Sequence, residues 1–298
     1  MATARSALSR RLRGRHKKLY LNRSRGGNFL IFLFLGVFGV FMILPMIYSV
    51  SSALKPLDEL WIYPPRFFVQ NPTAKNFKDL LSLMGDSWVP FTRYLFNTLF
   101  ISVVGTGGHL LLSSLCAYAL AKHDFPGREF VFKCIVLSLM FSTAVTGVPS
   151  FLIMTKLHLV NGYGAFILPA FCSSLGLYLM KQFMETNIPD AILESAHIDG
   201  AGEVRIFWRI VMPLVKPAWL TLIIFSFQGL WNTGNTVLVQ SEQLKPLNYA
   251  LSQIVSSGIA RSGTAAAAAV VMMVVPVAIF VVSQSNIVET VATSGMKD

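Results

Sequence analysis

Charge is scarce in this chain. Of 298 residues only 13% are Asp, Glu, Lys or Arg, and the acidic ones number 14. With 54% hydrophobic residues and a mean hydropathy of +0.59, too little polar surface is left to cover a water-soluble globule, so a bilayer is the natural solvent. Cysteine is scarce too. Cys116, Cys134 and Cys172 all fall in apolar stretches, with neither an even count nor metal-ligand spacing, which argues against a disulfide framework or a zinc site and assigns them to packing. A G-x-S-x-G elbow, an H-E-x-x-H helix and a P-loop are all missing. Their absence removes common signatures of serine hydrolysis, metalloproteolysis and nucleotide binding. Neither an internal repeat nor a separate soluble domain is visible.

The charge that is present is unevenly placed. The formal net charge is +11, and nine of the 25 Lys and Arg precede Asn28, from Arg5 to Arg25. A nucleic-acid binder would spread such residues over a folded, water-exposed face. Here they form a basic arm, residues 1–28, directly ahead of the apolar run Phe29 to Val50, so no nucleic-acid partner is expected. That order is a topology signal, placing the arm in the cytoplasm beside anionic lipid headgroups. At 22 residues the run exceeds a typical signal-peptide core and is long enough to span, so it is expected to remain as a first helix.

Six stretches have the length and composition of membrane spans: Phe29 to Val50, Tyr94 to Leu120, Phe130 to Thr155, Gly164 to Met180, Leu214 to Trp231 and Thr264 to Val282. An even number puts both termini on one side. If that side is the cytoplasm, 17 of the 25 basic residues lie inside. Pro45 and Pro149 lie within spans, and Pro169, Pro213 and Pro276 within or near their ends, which implies kinked helices whose freed carbonyls find other partners. Gly105, Gly107, Gly108, Ser113 and Ser114, and the run Ala265 to Ala269, would let helices approach closely. The outer segments Ser51 to Arg93 and Asn232 to Gly263 are too long for simple turns.

Between the fourth and fifth spans lies Asn187 to Pro217, which is too polar to cross a membrane. Pro189 and Asp190 suit the start of a helix, and Gly200 can take the left-handed conformation that ends one. A helix this short is marginal alone, so packing must hold it, and docking into another protein's cleft would explain it. A second helix from about Gly202 to Met212 leads past Pro213 and Pro217 into the fifth span.

Glu194-Ser195-Ala196, Asp199-Gly200-Ala201, Phe207, Ile210, Pro213 and Pro217 together resemble the cytoplasmic EAA loop of binding-protein-dependent ABC importer permeases. Further landmarks in the same order extend the likeness over nearly the whole chain from Lys55: Lys55-Pro56, Pro64-Pro65, Ala117 to Ala121, Phe125 to Arg128 and Trp231-Asn232. Their series is similar to the carbohydrate branch, the second permease of maltose-type systems.

The resemblance implies an all-α integral membrane fold, with six transmembrane helices and a coupling helix, in a permease domain spanning residues 29–298. It also implies a second related permease, two cytoplasmic ATPase subunits that bind the ATP and Mg this chain does not, and an extracytoplasmic solute-binding protein. Glu194 would make an ionic contact with the ATPase, Ala196 and Ala201 would allow close approach, and Asp199-Gly200 would set the turn. Ser195 departs from the family's alanine, conservatively in size. Leu139 to Ser142 lacks the proline often found in the third span, which would move its kink to Pro149, and the tail from Gln284 to Asp298 lacks the usual aromatic and basic residues. The implied substrate is a sugar or oligosaccharide, with Trp231 and Asn232 as path residues and Lys245 to Leu251 facing the binding protein.

Two other classes compete. An ion-coupled secondary carrier would place ionisable groups at mid-membrane. Lys133 and Lys181 read as helix-end residues, and His109, beside Gly107 and Gly108, reads as a packing residue. An intramembrane hydrolase would need more than His109 and Ser113 on one helix face, since no oxyanion or orienting partner accompanies them.

Overall fold

The computed structural model describes residues 25–85, 88–234, 237–256 and 261–294. Most of the basic arm (residues 1–24) and Lys297 lie outside the described residues. Among those described the chain is all helical, with no strand. It divides into two units, one ending at Tyr48 and one beginning at Ser49.

Helix α1, Arg25–Leu54, carries the expected first span, and its Gly26–Leu54 stretch is long and apolar enough to cross a membrane. Such a helix has no polar face to turn towards water. Its large side chains, such as Phe32, Phe38 and Val40, are exposed, as lipid-facing residues would be.

In the second unit, α2 (Lys75–Gly85) packs on the core through Leu80 and Met84, and α3 (Phe91–Lys122) is the long central span. The expected third span is broken into α4 (Arg128–Ser138) and α5 (Thr143–Lys156). The break falls at Leu139 to Ser142 and not at Pro149, which sits inside α5. The last turn of α4 tightens, with Leu139, Met140 and Phe141 N–H groups each bonding three residues back, and extended Ser142 then offers its carbonyl to Val145 and Thr146 to start α5. A sequence without Gly or Pro at that point gave no signal of it.

The expected fourth span comprises α6 (Gly164–Phe171) and α7 (Ser174–Asn187), together long and apolar enough to cross. Next come α8 (Asp190–Ile198) and α9 (Glu203–Leu214), which bends by 81° into α10 (Lys216–Trp231). Helices α11 (Leu247–Ser256) and α12 (Ser262–Ser294) complete the chain. Among the described residues, four helices qualify as spans by length and composition, or five with the bent pair counted as one.

Small residues in α3 let its neighbours in. A Cβ on Gly105 would fall 2.5 Å from Leu230 Cδ1, and one on Gly108 would fall 2.1 Å from the Phe171 ring, whereas Gly107 meets nothing within 4 Å. Ala267 and Ala268 of α12 are likewise buried. The cysteines are not packed inside: all three are exposed on the chain's own surface.

The long segments before α3 and before α12 are held by buried polar residues. Glu59 accepts from the backbone N–H of Gln70 and Asn71, and Asn76 Nδ2 donates to the carbonyls of Ala53 and Lys55 at 2.9 and 2.7 Å. In the second segment Asn97 donates to the Gln243 and Lys245 carbonyls and accepts from Tyr163 Oη, while Thr98 Oγ1 accepts from Leu247 N–H. All but the Tyr163 bond pair a side chain with a backbone group of the segment. The loop is thereby tied to the first turns of α3.

Candidate functional site

The segment Asn187 to Pro217 folds as its composition predicts, and its geometry shows why. Pro189, with φ −65° and ψ 136°, is the N-cap of α8, and Asp190 sits in the first turn where a negative charge complements the helix dipole. At the other end Gly200 adopts φ +76°. Its N–H bonds the His197 carbonyl, and the Ala201 N–H bonds the Ala196 carbonyl, both at 3.0 Å. This pair of bonds is the Schellman closure, which needs a left-handed residue at the Gly200 position.

Helix α8 has two faces. Leu193 and Ala196 point into a core shared with Tyr118 and Ala121 of α3, Met180 and Met184 of α7, and Ile206, Phe207 and Val211 of α9. On the other side Glu194, Ser195, Ile198, Asp199 and Gly200 are exposed, Ile198 at 87%. Ser195 Oγ bonds back to the Ile192 carbonyl of its own helix. The small side chains at Ala196 and the half-buried Ala201 pack closely against that core within this chain. Beside the exposed face, Val204 and Trp208 are also uncovered, and with Gly200, Gly202, Glu203, Arg205 and Arg209 they line an open depression.

Sequence reasoning missed the grip on α8. The Lys122 ammonium, at the end of α3, donates to the Ile188 carbonyl at 2.6 Å and to Asp190 Oδ1 at 2.7 Å. At the opposite end of α8 the Glu203 carboxylate accepts from Tyr118 Oη at 2.9 Å and lies 3.5 Å from His123 Nε2 and 3.3 Å from His197 Nε2. The end of α3 thus holds both ends of the short helix. Tyr118 belonged to the Ala117 to Ala121 landmark, but nothing in its spacing points to Glu203.

Helix α9 contains a π-helical turn at Phe207–Val211 that turns Phe207 and Val211 into the core. Pro217 cannot donate to the preceding turn, the chain breaks at Val215, and Trp219 Nε1 crosses the bend to bond the Met212 carbonyl at 3.1 Å. That contact pins the 81° angle between the polar segment and the span that follows it.

The other candidates lie outside this segment. Trp231 is 1% exposed, donates its indole N–H to the Met272 carbonyl at 3.0 Å and stacks on Phe227. It joins α10 to α12, whereas Asn232 is exposed. In Lys245 to Leu251, Leu247 and Leu251 are buried, and the Lys245 ammonium is turned onto Glu242 at 2.7 Å and Tyr249 Oη at 2.9 Å. Burial presses the pKa of Lys245 down, but the bonds to Glu242 and Tyr249 outweigh it, and the net shift is upward. Lys181 lies within α7, not at a helix end, paired with Glu185 at 2.6 Å and seated over the Phe132 ring; Lys133 lies within α4, paired with Glu129. His109 is buried and contacts Ser226 Oγ at 3.1 Å. Among the described residues no group of three His, Cys, Asp or Glu is placed to hold a metal ion.

The family described as the inner membrane component of binding-protein-dependent transport systems matches residues 109–291. The chain belongs to that family. The match begins inside α3 and takes in the gripped helix, the bend and the final span. This permease is 33% identical to the polygalacturonan/rhamnogalacturonan transport system permease protein YtcP of Bacillus subtilis, over 79% of its own length and 81% of that protein's. It is also 33% identical to the sn-glycerol-3-phosphate transport system permease protein UgpE of Yersinia enterocolitica, over 66% and 70% of the two chains. In fold it resembles a chain of a bacterial ABC transporter involved in import of the acidic polysaccharide alginate, with a TM-score of 0.76 at 23% identity, covering 88% of this chain and 98% of the other. Family and apolar helices together make the permease a multi-pass protein of the cell membrane, one component of an importer that includes a binding protein. The ion-coupled carrier reading gives way to this one.

Proposed function

We propose that this permease forms half of the translocation path of an ATP-driven importer for an oligosaccharide, and that α8 is the helix through which cytoplasmic ATPases move it. The observation that carries the proposal is the division of α8 into a buried face, Leu193 and Ala196, and a bare one, Glu194, Ser195, Ile198, Asp199 and Gly200. A short helix held at both ends but uncovered along one side is suited to fill a cleft in a partner. Glu194 supplies a charge-assisted contact there, and Ile198, Val204 and Trp208 supply apolar area.

In this reading the broken pair α4 and α5 is the third of six spans, both termini are cytoplasmic, and the basic arm lies against the inner leaflet. A second related permease completes the path, and Asn232 is a candidate wall residue. The permease itself is not an enzyme and binds no nucleic acid; ATP and Mg belong to the two ATPase subunits. Relatives named for polygalacturonan and arabinooligosaccharide transport support an oligosaccharide as substrate.

The test is co-purification with the partner permease and ATPases, followed by ATPase and uptake assays in proteoliposomes with the binding protein, comparing wild type and Glu194→Arg. Loss of ATPase from the Glu194→Arg complex, with the permease pair intact, is the expected result. Uptake by the permease alone, driven by an ion gradient and indifferent to Glu194, would overturn the proposal.

A further inference from the structure

Three helix ends meet beside the bare face of α8. The last turn of α3 brings Tyr118, with His123 capping it; the last turn of α8 brings His197; and the first turn of α9 brings Glu203. Each charge suits its helix dipole, since an anion belongs at an N-terminus and a cation at a C-terminus. The Glu203 carboxylate spends one oxygen on Tyr118 and His123 and the other on His197. Tyr118 and His123 also meet edge to face, with ring centroids 5.0 Å apart. The other charged groups near these ends are engaged elsewhere or exposed: Lys122 pairs with Asp190 at the far end of α8, Asp124 with Arg128, Glu194 and Asp199 stand on the exposed side, and Arg205 and Arg209 line the open depression.

We propose that Glu203 is the positioning residue that clasps the coupling helix to the second span, and that His123 and His197 make this clasp tighten on protonation. The inference rests on reading α8 as the coupling helix. Neutral histidines give Glu203 little beyond the Tyr118 bond. When both are charged, Glu203 neutralises two cations that would otherwise repel, and α3, α8 and α9 are drawn to one point. Histidine is the side-chain type suited to gain and lose a charge near neutrality, which makes it the natural partner for such a clasp. All three side chains of the two ion pairs are about half exposed, at 41%, 47% and 50%, so the effect modulates coupling and does not switch it. A motion imposed on α8 would reach α3 more rigidly in acid than in base.

The experiment uses the full chain in lipid nanodiscs, spin-labelled at the exposed Cys116 and at Ile198→Cys, with Cys134 and Cys172 replaced by serine. The distance distribution is recorded at pH 6 and pH 8.5. In wild type the ratio of clasped to open population is expected to fall about two- to fivefold as pH rises, the range exposed ion pairs support. Glu203→Gln keeps an acceptor for Tyr118 and should flatten the pH response, Glu203→Asp should restore it, and Tyr118→Phe should loosen the clasp while leaving the response in place. A wild-type distribution unchanged between the two pH values, or a response that survives in Glu203→Gln, would overturn the proposal. Docking to ATPase is measured separately through Glu194→Arg, so failure of the coupling-helix reading would leave the intrachain result standing and be told apart from it.

Discussion

Lys122 Nζ lies 2.7 Å from Asp190 Oδ1, yet the two partners are unequal: the lysine side chain is 5% exposed and the aspartate 77%. The lysine also donates to the Ile188 carbonyl, whose residue is buried. Removing the exposed carboxylate should therefore cost little, whereas removing the ammonium strands a buried acceptor.

Lys122→Ala is accordingly expected to destabilise the permease by about 1–3 kcal/mol, the cost of an unsatisfied buried polar group, and Asp190→Ala by less than about 1 kcal/mol. Thermal unfolding in detergent, followed by intrinsic fluorescence, checks the order. Equal losses for the two variants would mean that the ion pair, not the backbone bond, holds the helix.

Glu194 and Ala196 are two residues apart and face opposite ways. Glu194→Ala should leave the permease as stable as wild type but weaken its hold on the ATPases. Ala196→Leu should destabilise the permease itself, by about 1–3 kcal/mol, because it overpacks a filled core. Unfolding of the purified permease beside co-purification with the ATPases separates the two effects.

Much of this arrangement was legible in the sequence, where the signal was local. Pro189, Asp190 and Gly200 mark the ends of α8 within a dozen residues, and the apolar run after Asn28 announces α1. What was hidden depends on contacts across the chain. Tyr118 and Glu203 meet over 85 residues of separation. The break between α4 and α5 has no Gly or Pro to announce it, and the indole bond of Trp231 to Met272 crosses 41 residues, so nothing local to the tryptophan announces it. The two faces of α8 were likewise unreadable, because alanine suits both a partner's cleft and a tight core.

Trp231→Phe tests whether the indole serves that bond or the path. It keeps an aromatic ring against Phe227 but leaves the Met272 carbonyl without its donor, an expected loss of about 0.6–2 kcal/mol for an interhelical bond within a membrane. Thermal stability should fall while the apparent KM for uptake holds. A changed KM at unchanged stability would return Trp231 to the path.

Lys245 gives a pH signature by its sign. Its pKa is raised in the folded state by Glu242 and Tyr249, so its contribution to stability is full below the unfolded value, about 10.4, and lost only as pH rises through the folded one. The stability difference between wild type and Lys245→Gln should thus be constant from pH 6 to pH 9. A difference that shrinks within that window would show that the ammonium is not held as the geometry has it.

Gly107 and Gly108 are neighbours in α3 with opposite surroundings. A Cβ on Gly108 would enter the Phe171 ring, while one on Gly107 meets nothing within 4 Å. Alanine is favoured over glycine inside a helix by about 1 kcal/mol, so Gly107→Ala should be neutral or mildly stabilising in the permease alone. Gly108→Ala must push α6 away or force the ring off its rotamer, and should destabilise by about 1–3 kcal/mol despite the same propensity gain. Phe171→Leu, which shortens the obstructing group, should recover part of that loss in the double variant and none in the Gly107→Ala background. Unfolding temperatures of the four variants decide the matter. Equal effects at the two glycines would mean that α3 and α6 do not meet at this register.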